Sequence, residues 1–175
     1  KVYCDAEGEL WLLFAAKYRV VRGRYEHGRI RMTDSFFFPH PAAIAQDDLG
    51  RIWIGGNSVD LARYDKTARS VVTFPYTTEP VFPFVSELLP GEAGRMLVSA
   101  FGLPLLQLNT NSGEVQPLPL KPEEVEACIQ RSALYPNALF RDSSGDLWVG
   151  SIASGLLHHS RQRNVTEPVP GTPCT

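Results

Sequence analysis

A chain of 175 residues with 43% apolar and 21% charged side chains has the makeup of a packed globular protein and excludes a disordered one. A formal net charge of −2 and a pI near 6.1 argue against a nucleic-acid-binding surface, which would carry a basic stripe. No apolar run is long enough for a membrane span, and three cysteines, Cys4, Cys128 and Cys174, are too few and too scattered for a disulfide framework or a zinc site.

The chain opens in an extended segment, Val2-Tyr3-Cys4, so it is expected to be a piece of a longer protein, with Cys4 a small buried hydrophobe. Asp5-Ala6-Glu7-Gly8 then turns it back into Glu9-Leu10-Trp11-Leu12-Leu13. Tyr18 to Arg22 and Gly28 to Met32 make two further strands. Arg19, Arg22, Arg24, Arg29 and Arg31 interleave there with Val20, Val21, Tyr25 and Ile30, which reads as the solvated face of paired strands.

The second unit repeats the plan with more regularity. Ala42 to Gln46 leads through Asp47-Asp48-Leu49-Gly50 into Arg51-Ile52-Trp53-Ile54-Gly55, followed by strands at Asp60 to Asp65 and Ser70 to Phe74. Aspartate opening a four-residue turn and glycine closing it is ordinary turn chemistry: the carboxylate caps local N–H groups and glycine supplies positive φ. A third, decayed copy reads Gly91-Glu92-Ala93-Gly94-Arg95-Met96-Leu97, with Leu97 in the place of the tryptophan, and its outer strands fall at Leu105 to Asn109 and Glu114 to Gln116. Lys121 to Ile129, with proline and glutamates in its first turn, is the one short helix signal. The fourth unit carries Asp142-Ser143-Ser144-Gly145-Asp146-Leu147-Trp148, with later strands expected at Gly155 to His159 and Arg161 to Val165.

The turn glycines Gly8, Gly50, Gly94 and Gly145 stand 42, 44 and 51 residues apart, close to the period of four-stranded propeller blades. One blade cannot bury its own apolar face, so neighbours must stack. The expected fold is therefore an all-β propeller of about four blades, over residues 1–35, 36–78, 79–120 and 121–165 with a short tail at 166–175. Trp11, Trp53 and Trp148 are expected to wedge between adjacent blades.

The segment from Asp142 to Leu156, Asp-x-x-Gly-x-Leu-Trp-Val-Gly with a following Gly-Leu, resembles the two-component regulator propeller repeat. Asp47 to Leu61 fits the same pattern, with Asp60 replacing the usual glycine. The resemblance implies the extracytoplasmic sensor region of a bacterial hybrid two-component sensor histidine kinase, held at the inner membrane and facing the periplasm. In that family propellers of about seven blades precede a β-sandwich, a membrane helix and a kinase, and they detect breakdown products of complex carbohydrates. This chain would be part of such a propeller, without the kinase, associating as a homodimer or with the remaining blades.

On this plan the Asp-x-x-Gly turns share one rim and the ligand-facing loops the other. Candidates on that second rim are Lys17, Tyr18, His40, Asn57, Asp60, Arg131 and Tyr135, whose amide, charged and aromatic groups suit an oligosaccharide or another small periplasmic ligand. His40-Pro41 and Tyr135-Pro136 each precede an inner strand, where proline favours an extended predecessor. His158 and His159 are strand neighbours pointing to opposite faces, so no shared metal is expected, and no cofactor or catalytic residue either. Asn164-Val165-Thr166 matches a glycosylation acceptor, which matters only in a eukaryotic secretory protein. Two other functions remain open: a protein-interaction platform using Phe36-Phe37-Phe38 and Pro80-Val81-Phe82-Pro83, and a propeller lyase or hydrolase, for which inner-strand residues such as Ala42, Ile44, Ala138 and Leu139 offer little chemistry.

Overall fold

Four hairpin repeats give four antiparallel four-stranded sheets, each meandering in chain order, in the computed structural model, which describes residues 1–76, 84–118, 136–151 and 155–172. The first sheet holds β1 (Val2–Cys4), β2 (Leu10–Phe14), β3 (Arg19–Glu26) and β4 (Arg29–Phe37), and the second β5 (Pro41–Gln46), β6 (Ile52–Gly56), β7 (Asp60–Asp65) and β8 (Ser70–Pro75). The third holds β9 (Val85–Pro90), β10 (Arg95–Ala100), β11 (Leu106–Asn109) and β12 (Val115–Pro117), and the fourth β13 (Pro136–Arg141), β14 (Leu147–Ser151), β15 (Gly155–Ser160) and β16 (Val165–Pro168).

The period-two alternation of each second strand decides which neighbour it meets. Trp11, Leu13 and Val20 pack with Ile44, Ile52, Ile54 and Tyr64 between the first two blades. Trp53, Ala45 and Leu61 pack with Val85, Met96, Val98 and Leu108 between the second and third. Leu97 and Leu105 meet Leu139, Leu147, Val149 and Leu157 between the third and fourth. Residues such as Ile52 and Ile54 thus face the preceding blade, and Trp53 between them faces the following one. Gly55 belongs to this second set: a Cβ there would fall 2.5 Å from Cγ1 of Val85, so glycine lets the next inner strand come close.

The turn aspartates do more than cap the turn. Oδ1 of Asp5, Asp47 and Asp142 accepts backbone N–H groups two and four residues on, while Oδ2 accepts the indole N–H of Trp11, Trp53 and Trp148 at 3.0, 2.9 and 2.9 Å. The aspartate and the tryptophan six residues later form one clamp. In the third blade both are replaced, by Gly91 and Leu97.

Several expectations change in three dimensions. Cys4 is exposed, because it alternates with the seam-facing Tyr3 and so turns to the face of the first blade that no sheet covers among the described residues. Arg22 is not on a solvated face: its side chain is 15% exposed and its Nε donates to Glu9 at 2.6 Å, with Arg24 on the other Glu9 oxygen. Strand β4 runs to Phe37, past the expected edge of the first blade at residue 35, and β16 reaches Pro168, into the expected tail. Residues 161–164 form a turn in place of a strand start, with Asn164 at φ 52°. Trp148 is half-buried, and among the described residues no sheet covers its face. The expected helix at 121–129 lies outside the described residues, as do Cys128, Cys174 and Pro80 to Pro83.

Candidate rim site

The rim opposite the aspartate turns gathers two of the candidates. Tyr18 ends a 3₁₀ turn (Ala15–Lys17) at φ 51°, and its ring lies 4.4 Å from that of His40, edge to face, and 6.0 Å from that of Phe37, stacked. His40 is also left-handed, at φ 38°, contrary to the extended backbone expected before Pro41. The cause is visible opposite it: a Cβ on Gly56 would fall 2.2 Å from the His40 carbonyl oxygen, so glycine there admits the turned backbone. Tyr18 and His40 are both turn residues at positive φ, as His27, Arg69, Ala93 and Asn164 are elsewhere, a backbone that costs about 1–3 kcal/mol each.

Phe37, expected only as part of the Phe36-Phe37-Phe38 docking surface and not as a rim candidate, completes this aromatic surface. Its signal was the alternation in Phe36-Phe37-Phe38. Phe36 stacks inward on Tyr64 at 5.2 Å, Phe38 is buried, and Phe37 points out at 70% exposure. The triplet therefore does not offer the continuous exposed patch expected of a protein-docking surface.

The other candidates scatter. Lys17 lines a separate groove with Phe14, Arg19, Met32 and Asp34 on the outer face of the first blade. Asn57 is exposed on the loop after Gly56. Asp60 starts β7, and its backbone N–H is held by the Ser58 hydroxyl. Burial, and then the Asp60 charge, push the Tyr76 phenol well above its ordinary value of 10.0. The Tyr76 hydroxyl is buried and has no hydrogen-bond partner among the described residues. Arg131 and Tyr135 lie outside the described residues. The rim thus presents an aromatic platform of Tyr18, Phe37 and His40 at the junction of the first two blades.

On the opposite rim, Asp142, Asp146 and His158 bring three possible metal-ligand atoms within 4.8 Å of one another. Their bonds are already committed. His158 Nε2 pairs with Asp146 at 3.0 Å, and Asp142 accepts Trp148 and two backbone N–H groups. The same cross-strand position beside the tryptophan holds Arg22 in the first blade and Arg63 in the second, with guanidinium carbons 5.7 and 5.6 Å from the Trp11 and Trp53 rings. His158 stacks on Trp148 at 4.4 Å in the same way. Arginine does not ligate metals, so what the three blades share at this position is a side chain packed on the tryptophan. His159 turns to the other face and bonds Thr166, as adjacent strand residues must.

These sheets, with their innermost strand first and tryptophan seams between them, define a β-propeller. The fold recurs in solved structures. Virginiamycin B lyase from Staphylococcus aureus superposes with TM-score 0.70 at 16% identity, over 97% of this chain and 55% of that one. Two extracellular domains from B. thetaiotaomicron, named for hybrid two-component systems, superpose with TM-score 0.69 at 13% and 12% identity, over 97% of this chain and 24% of each of theirs. The chain therefore spans about half the length of the lyase and a quarter of the receptor domains. No family model and no curated protein matches the chain.

Proposed function

We propose that this chain is a ligand-sensing stretch of the extracytoplasmic propeller of a hybrid two-component receptor, with no catalysis of its own. The observation that carries the reading is the strained aromatic platform of Tyr18, Phe37 and His40 on the rim facing away from the aspartate turns. Exposed rings of this kind stack on sugar faces, while Asn57 and Asp60 suit hydroxyl groups. The repeat resemblance and the likeness to two extracellular receptor domains support the same assignment. In that reading the chain lies in the periplasm, the ligand is an oligosaccharide from complex carbohydrate, and a kinase elsewhere in the receptor reads the bound state. A ligand favouring one state by a few kcal/mol is enough to bias such a switch. Association with further blades, or with a second copy, covers the outer faces of the first and fourth blades.

Calorimetry of the full ectodomain against a broad oligosaccharide panel tests this. Binding that weakens in Tyr18→Ala and His40→Ala supports it, and silence across the panel removes it. The lyase likeness gives a second reading its own check: an inactive form of that lyase was solved with quinupristin, and turnover of quinupristin by this protein would replace sensing with catalysis.

A further inference from the structure

The third blade has lost both halves of the clamp, and the loss leaves space. In the first two seams the indole is fully buried and its N–H is held by the turn carboxylate. In the third seam, Gly91 and Leu97 stand in those two places and border a cleft of about 260 Å³, together with Gln107, Arg141, His159 and Arg161. Neither an aspartate nor an indole fills the gap. What remains is a cleft basic at its walls, closed beneath by the packed Leu97 and Leu147.

The charge there is one-sided. Arg95, Arg141 and Arg161 line the cleft against a single acid, Glu92, which is already bound by both terminal nitrogens of Arg161 at 3.0 and 2.9 Å. Arg141 spends Nη1 on the Gly145 carbonyl at 3.0 Å. Its Nε–H is buried and has no acceptor among the described residues. A guanidinium pairs most strongly with a carboxylate, and Arg141 and Arg95 both line the cleft.

We propose that the seam between the third and fourth blades is a binding site for a small carboxylate carried on a six-membered or fused ring. The ring takes the room left by the missing indole, and the carboxylate meets Arg141 and Arg95. The site lies on the aspartate-turn side, apart from the aromatic rim, and stands whether or not the rim binds sugar. The blade that departs from the repeat is then the one with a pocket of its own.

Titration of the 175-residue chain with indole-3-acetate and with D-glucuronate distinguishes an aromatic acid from an acidic sugar, and 3-methylindole and methyl glucoside control for the charge. At least one of the two acids should bind at one site per chain, at least about tenfold more tightly than its neutral control. Arg141→Gln should weaken that binding by about tenfold or more while leaving the melting temperature near that of the parent. The pair Gly91→Asp with Leu97→Trp rebuilds the clamp inside the cleft and should abolish binding while raising the melting temperature. A Cβ at residue 91 would lie 3.1 Å from the Arg95 carbonyl oxygen, so Leu97→Trp alone serves as the second blocking variant. Failure of both acids to bind, or binding unchanged in the Leu97→Trp chain, overturns the proposal.

Discussion

Trp53 and Trp148 occupy the same place in the same repeat, each hydrogen-bonded to its turn aspartate, yet Trp53 is fully buried and Trp148 half-buried. The local clamp is identical. What differs is the next sheet: β9 lies over Trp53, and no described sheet lies over Trp148. Side-chain placement is thus set within one hairpin, whereas burial, and most of the energy, is set by the neighbouring blade.

The largest contrast should come from removing the rings. Trp53→Ala is expected to cost about 3–5 kcal/mol in urea unfolding, and Trp148→Ala about 1 kcal/mol, because only the first opens a cavity in a closed seam. Equal losses would mean that Trp148 is covered in solution. Adding a methyl group probes the same faces from the other side. Gly55→Ala drives a Cβ into Val85 and should cost roughly 1–3 kcal/mol, whereas Gly150→Ala meets only the Ala138 Cβ at 3.5 Å and should stay within about 0.5 kcal/mol. Asp47→Ala leaves a buried indole N–H unsatisfied and should cost about 1–3 kcal/mol, and Asp142→Ala should cost less because solvent reaches its partner.

The smallest effects are in pH. Burial pushes the Asp5 carboxyl up, but the Lys66 ammonium, the Trp11 N–H and the Glu9 N–H outweigh it and hold it below its ordinary 3.8. A carboxyl lowered by folding contributes stability at neutral pH that is lost as pH falls through the carboxylate range. Lys66→Met should therefore flatten the acid limb of the urea midpoint below about pH 5. Burial also holds the His159 imidazole below its ordinary 6.5, with Asp146 opposing and His158 and Arg141 adding to it. Its neutral form is favoured by folding, so stability begins to fall near pH 6.5 on acidification, and His159→Gln should remove that upper step.

The fold was legible because its signals are local. Asp47, Gly50 and Trp53 fix a turn, a positive φ and a seam-facing ring within seven residues. Features that depend on register or on a distant sheet were not legible. Arg22 looked solvated because its partner, Glu9, reaches it only after β2 and β3 pair. Cys4 looked buried because sequence does not say which face of the first blade is left without a sheet among the described residues. The last strand was placed early because the turn at residues 161–164 is written in polar residues with no glycine or proline. At the rim, Tyr18 and His40 were each visible as candidates, but their contact and the part played by Phe37 follow from β4 carrying one ring back beside another.

The aspartate clamp closes over six residues, so the first, second and fourth blades can organise their hairpins before any long-range docking takes place. Such units have low contact order and assemble early. The third blade has no such internal latch and must borrow its order from the sheets on either side. Folding should accordingly converge on it last.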